Sequence, residues 1–327
     1  MNDLKEKINP LLKEYLDFFN MDSLSHGYLI SGENGLGKKD LVRVLSESIL
    51  CKNSNKLFEA CGECNASKLM QSGNHPDYHF IEEEVGSKII KIGQLRGNKK
   101  KNDSHEGIVN SMFETPLVSA SKVFVINNAH LMNDESQNFI LKILEEPPKE
   151  SFIFLISSNP FLLKKTLLSR LSHLQIKFPD LSNLKEYFSE KRIEIDEKDY
   201  ELLKGEDLVN FSAAKLEDLR ESWEDFSKDL VNISSYKEIE KISSKWDDDS
   251  VQEKLIWLSK IILESFKKRL DSNFKATFLS SDLNLDRKSL IDLSEIFKNI
   301  QNILIDLNSG VKLNNKIQIK SLLSNLN

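Results

Sequence analysis

Residues 32–39 read Gly-Glu-Asn-Gly-Leu-Gly-Lys-Lys, close to the G-x-x-x-x-G-K-[ST] pattern of a loop that cradles phosphates. In such a loop, Gly32, Gly35 and Gly37 let successive backbone N–H groups turn toward an anion, and Lys38 neutralises phosphate charge. The final position departs from the pattern, because Lys39 stands where a Ser or Thr hydroxyl would ligate magnesium. An ammonium cannot ligate a cation. Within about 4 Å of Mg²⁺ it would be repelled by roughly 8 kcal/mol at an effective dielectric of about 20. Swinging Lys39 away leaves nucleotide binding open but removes the metal ligand. The partner feature of such a site is an Asp-Glu pair after a buried strand, where the aspartate positions magnesium and the glutamate orients the attacking water. Here the apolar run 123–126 is followed by Asn127-Asn128. Amides neither counter the metal's charge nor take a proton, although asparagines after a strand are also ordinary turn residues. Two defects in one machine predict that this chain does not hydrolyse ATP.

Two other groups of residues carry chemistry. Cys51, Cys61 and Cys64 give C-x₉-C-x₂-C, and the odd, clustered count fits a reducing compartment and a metal-type motif better than a disulfide scaffold. A structural zinc site needs four ligands. The next x₂ spacing reaches Ser67, a poor zinc ligand, while His75 substitutes only if its loop folds back. Zinc and a loop with free thiols both remain open on this spacing. Further on, Ser169-Arg170 ends a short helical run, 163–168, that follows the apolar run 152–156. Arginine there is either a surface residue or a finger for a neighbour's nucleotide, a task suited to a planar, permanently charged guanidinium.

The elements that must position these residues read as α/β. Short apolar runs at 27–30, 122–126 and 152–156 suit buried parallel strands, and helices are expected between them. One such helix spans 134–146, with Asp134 and Gln137 resembling a capping box and Pro147-Pro148 as its stop. Residues 1–20 suggest a single amphipathic helix with Leu11, Leu12, Tyr15, Leu16 and Phe19 on one face. Beyond about 179 the strand signals fade. Residues 179–217 read as a small helical unit, and 218–327 as a helical bundle with the stripes Leu255, Leu258, Ile262, Phe266 and Leu290, Leu293, Phe297, Ile300, Leu304. Those stripes are bundle core or faces for a partner chain. The polar stretch 97–104, with Lys99, Lys100 and Lys101, is a solvated loop or a DNA-contacting one.

The 327 residues leave room for two or three domains, and 39% hydrophobic with 29% charged residues fits a soluble, helix-rich protein. The formal net charge of -6 argues against DNA as the sole partner. The first residues lack the apolar core of a signal peptide, and no run of about 18 apolar residues occurs, so a cytoplasmic location with no membrane partner is expected.

Taken in order, the segments resemble the AAA+ clamp-loader subunits of bacterial DNA polymerase III, in particular the delta-prime type. The resemblance rests on His26-Gly27-Tyr28-Leu29-Ile30 with the glycine turn, and on the cysteine cluster running into Lys68-Leu69-Met70-Gln71-Ser72-Gly73-Asn74-His75-Pro76-Asp77. It continues through Asn138-Phe139-Ile140-Leu141-Lys142-Ile143-Leu144-Glu145-Glu146-Pro147-Pro148, its most specific piece, to Ser169-Arg170. It is dense from about 25 to 178 and thins beyond. The resemblance implies an AAA+ α/β domain over 1–178 with a zinc-module-like insertion near 51–67, a helical lid over 179–217 and a helical collar over 218–327. It implies a non-hydrolysing stator in a hetero-pentamer with gamma/tau-type ATPase subunits and a clamp-opening delta subunit, loading a sliding clamp on primed DNA. Ser169-Arg170 would then act in trans on a neighbour's nucleotide. The family's zinc module has four cysteines, so Ser67 is a departure, and 97–104 looks like an insertion. Two other readings stand beside this one: an active gamma/tau-like ATPase, and a stand-alone zinc-dependent DNA-binding module.

Overall fold

The computed structural model describes residues 2–84, 87, 89–96, 113–233, 235–246, 250–271, 273, 274, 276, 277, 285, 288–309 and 315–326; the polar stretch 97–104 lies outside them. The chain forms two compact units. One comprises Met1–Arg192 and Leu203–Phe211, the other Ile193–Leu202 and Ser212–Asn327.

The first unit is built on strands β1 (Asn2–Asp3), β2 (Gly27–Ser31), β3 (Glu59–Ala60), β4 (Tyr78–Ile81), β5 (Lys122–Ile126), β6 (Ser151–Ser157) and β7 (Ser172–Gln175). β1 and β3 form a small antiparallel pair. The other five make one parallel sheet in the order β4-β5-β6-β2-β7. Parallel neighbours need crossover connections, which brings helices to the sheet faces. β2 and β5 are buried along their whole length, which is why they read as unbroken apolar runs. Leu29, Phe124, Ile126, Ile153 and Leu155 pack with Ile140 and Ile143 of the helix Asp134–Glu145 and with Leu163 and Leu167. The parallel α/β sheet and the helical remainder expected from the sequence are both present.

Three local expectations need correction. Residues 1–20 are not one helix but two 3₁₀ segments, Leu4–Lys7 and Pro10–Phe18. Pro10 has no N–H to continue a helix and drives Asn9 into a non-helical conformation (φ -50°, ψ 125°), from which Asn9 caps the second segment through Leu11. Leu12, Leu16 and Phe19 are buried as the pattern requires, with Leu11 and Tyr15 half-covered. The helix Asp134–Glu145 is capped by Asn133, whose side chain accepts from the Ser136 N–H at 2.9 Å, and not by Asp134 with Gln137. The parallel sheet has two strands more than expected, β4 and β7, which stand at its edges, and the short β1–β3 pair was not expected either.

Among the described residues the regular elements of the second unit are helices: Glu197–Leu202, Ala213–Val231, Tyr236–Lys245, Val251–Leu270, Leu290–Ser309 and Asn315–Leu326. Its core gathers aromatic rings, with Phe226 5.2 Å from Trp246 and 5.4 Å from Trp257, centroid to centroid. In Leu290–Ser309 the buried stripe is Leu293, Ile296, Ile300 and Ile303, rotated from the expected one; Leu290 is exposed. Among the described residues no helix is long and apolar enough to cross a membrane.

Candidate functional site

The phosphate-loop sequence follows the central strand β2 directly. Gly35 adopts φ 74° and Gly37 φ 86°, the left-handed region open to glycine at little cost. Packing reinforces the requirement at Gly35, where a Cβ would lie 1.8 Å from the Glu206 carbonyl oxygen. The loop is braced from two directions. The Leu208 N–H donates to the Gly35 carbonyl at 3.0 Å, and Asn9 Nδ2 donates to the Leu36 carbonyl at 3.2 Å. Lys38 begins the helix Lys38–Leu50 and is buried, its Nζ donating to the Gly32 carbonyl at 2.9 Å and to that of Glu33. Burial lowers its pKa to about 8, against the opposing pull of Glu33.

Lys39 has swung away from the loop. Its Nζ pairs with Glu82 Oε2 at 3.1 Å and lies 4.4 Å from the centre of the Phe80 ring. The register of β4 on β5 sets Ile81 beside Ile126, so Glu82 and Glu83 emerge next to Asn127 and Asn128. Asn128 Nδ2 donates to both Glu83 carboxylate oxygens, at 2.9 and 3.1 Å, and Asn127 Nδ2 reaches Glu82 Oε2 at 3.4 Å. Asn128 itself sits at φ 49°, a conformation asparagine tolerates. His130 lies 3.3 Å from Ser157 Oγ and 3.4 Å from Ser158 Oγ, and burial lowers its pKa. Carboxylates are therefore present at this end of the sheet, but they are engaged by amides and by an ammonium. Sequence reasoning passed over them because Glu82-Glu83-Glu84 has the look of a solvated charge run.

Arg170 follows the helix Lys165–Leu168 at the far side of the same unit's sequence. Its Nη2 pairs with Glu145 Oε1 at 2.8 Å, and its Nη1 donates to the Thr166 carbonyl at 2.9 Å. Ser169 Oγ donates to the same Thr166 carbonyl at 3.0 Å. Gln137, freed from capping, links two segments instead. Its Nε2 donates to the carbonyls of Met132 and Leu162, and its Oε1 accepts from the Lys164 N–H. Lys164 Nζ in turn meets Asp134 at 3.1 Å and Asn138 at 2.9 Å. The contacts of Gln137 and Glu145 with this segment were not legible in the sequence, although both residues stood out in it.

The cysteines converge. Cys51 Sγ is 3.5 Å from Cys61 Sγ and 3.9 Å from Cys64 Sγ. Ser67 Oγ lies 3.3 Å from Cys64 Sγ and 3.7 Å from Cys61 Sγ. Thiolates about 2.3 Å from one zinc ion stand roughly 3.8 Å apart at tetrahedral angles, so the three sulfur positions could hold a metal ion of that kind. Backbone N–H groups of Cys64 and Glu63 lower the Cys61 thiol to about 6, whereas burial raises that of Cys51. His75 is placed elsewhere: its Nδ1 accepts from the Asp77 N–H at 3.0 Å and its Nε2 meets Ser119 Oγ at 3.1 Å. Of the two fourth-corner alternatives, the fold brings Ser67 to the cluster.

A parallel sheet in this order, with a glycine loop after β2 and helices following, fits the AAA+ type of α/β domain expected from the sequence, with Lys39, Asn127 and Asn128 gathered at one end of the sheet. Comparison with known proteins gives the family. Residues 8–180, more than half of the chain, match the family model described as DNA polymerase III, delta subunit. The chain belongs to this family. DNA polymerase III subunit delta' of Bacillus subtilis is 33% identical over 170 residues, covering 52% of this chain and 46% of that protein. The Escherichia coli subunit delta' is 33% identical over 145 residues, covering 44% of this chain and 40% of its own length. The chain thus spans less than half the length of these relatives in the matched region. A DNA polymerase III gamma subunit-related protein of Thermotoga maritima is similar along 99% of this chain and 98% of its own, at 17% identity and a TM-score of 0.39.

Proposed function

We propose that this chain is the non-hydrolysing, delta-prime-type subunit of a DNA polymerase III clamp loader in the cytoplasm. Its partners would be gamma/tau-type ATPase subunits and a clamp-opening delta subunit in a hetero-pentamer that loads a sliding clamp on primed DNA. The observation that carries the reading is the pairing of Lys39 with Glu82 beside Asn127 and Asn128, which leaves position 39 without a magnesium ligand. The chain would act as a stator: an α/β domain over 1–178, a lid over 179–217 and a collar over 218–327, with Ser169 and Arg170 presented to a neighbour's nucleotide. Arg170 supplies charge in trans as phosphoryl transfer develops. Cys51, Cys61 and Cys64 would hold zinc with Ser67 at the fourth corner, and zinc there would cross-link the loop that follows the helix Lys38–Leu50.

The test is reconstitution with the ATPase subunits and the clamp-opening subunit. The chain alone hydrolyses no ATP above background, with or without primed DNA; turnover by the purified chain would return the gamma/tau-like reading. Arg170→Ala leaves the complex assembled but slows hydrolysis at the site it serves by on the order of a thousandfold. Unchanged turnover in that variant would remove the trans role. Metal analysis of chain purified without chelator is expected to find one zinc per chain, lost in Cys61→Ala; a metal-free wild-type protein would leave three free thiols.

A further inference from the structure

We infer that Glu145 is a positioning residue for Arg170, fixing the guanidinium in the orientation in which it meets a neighbouring nucleotide. The inference rests on the trans role of Arg170 proposed above. Arginine is long and loses rotamer freedom whenever it is held to one geometry, so an arginine meant to meet a phosphate on arrival gains from a carboxylate that fixes it in advance. Glu145 Oε1 takes Nη2 at 2.8 Å while the Thr166 carbonyl takes Nη1 at 2.9 Å, and these two acceptors set the plane of the guanidinium. Nε and the second Nη2 proton remain for a ligand.

The location of Glu145 argues for pairing as well. It is the last residue of the helix Asp134–Glu145, where the helix dipole disfavours a carboxylate. Arg170 offsets that disadvantage. Pro147-Pro148 ends the helix two residues later, so Glu145 sits where the backbone direction is fixed. The same helix grips the segment leading to Arg170 near its other end: Gln137 bonds Leu162 and Lys164, and Asp134 and Asn138 hold the Lys164 ammonium. The helix therefore splints the stretch from Leu162 to Arg170 at both ends.

The experiment uses the full chain in the reconstituted complex, comparing wild type, Glu145→Gln, Glu145→Ala, Arg170→Ala and the Glu145→Gln/Arg170→Ala double variant. Glu145→Gln keeps size and an acceptor oxygen but loses the charge, and it is expected to lower kcat for ATP about tenfold with KM within twofold. Glu145→Ala is expected to lower it further. The double variant should be no slower than Arg170→Ala alone, since Glu145 acts only through Arg170. Wild-type or faster turnover in both Glu145 variants, with Arg170→Ala slow, overturns the positioning role and leaves the trans arginine standing. Additive losses in the double variant also overturn it. Wild-type turnover in Arg170→Ala removes the trans role itself, and this inference with it.

Discussion

The phosphate loop and the Arg170 corner belong to the same α/β unit, yet they are maintained for opposite reasons. At the loop, Gly35 lies against Glu206, Asn9 and Leu208 bond its carbonyls, and Lys38 is buried on its own turn. Those contacts come from the protein itself and brace the loop's shape. At the corner, Arg170 and Glu145 form a half-exposed ion pair, a kind worth about 0–1 kcal/mol to a fold. The fold thus accounts for the glycines of the loop, whereas the trans role proposed for Arg170 would account for the arginine.

That contrast breaks first if the loop tolerates a side chain. Gly35→Ala combines a left-handed φ with a carbonyl oxygen in the way, and it is expected to cost at least about 3 kcal/mol in urea unfolding of the whole chain. A loss under about 1 kcal/mol would mean the loop is not braced. Lys38 gives the next effect through pH. Its folded pKa of about 8 lies below its ordinary 10.5, so the unfolded chain binds more protons between those values. Stability from this group therefore climbs as pH rises from 8 to 10.5, by up to about 3 kcal/mol, and is flat below 8. The difference between wild type and Lys38→Met, followed by urea midpoints across that window, should show the climb only in wild type. Smallest is Arg170→Ala, expected to change stability by less than about 1 kcal/mol. A loss above 2 kcal/mol would make Arg170 a structural residue and erase the comparison.

Legibility in the sequence followed burial. β2, β5 and β6 are central strands walled by helices, and their apolar runs could mean little else. β7, Ser172-His173-Leu174-Gln175, buries only Leu174 and has too little hydrophobic signal to announce a strand. The glycine loop, Lys39, the asparagine pair and the cysteine cluster were all visible as types at fixed spacings. What surrounds them was not. Glu82 and Glu83 reach Asn127 and Asn128 only through the pairing of two strands, and Glu145 reaches Arg170 only because a helix returns alongside. Ser67 was discounted for its hydroxyl, yet local helix geometry places it at the cluster, while His75 is drawn off by Asp77 and Ser119.

The bond from the Leu208 N–H to the Gly35 carbonyl also has a consequence in time. The chain leaves the α/β unit for Ile193–Leu202 and returns as Leu203–Phe211 before that bond can close. During synthesis the phosphate loop is made early and its brace late, and a contact so distant in sequence is slow to form. The loop is accordingly expected to gain this brace only after residues 203–211 have been made, long after its own residues.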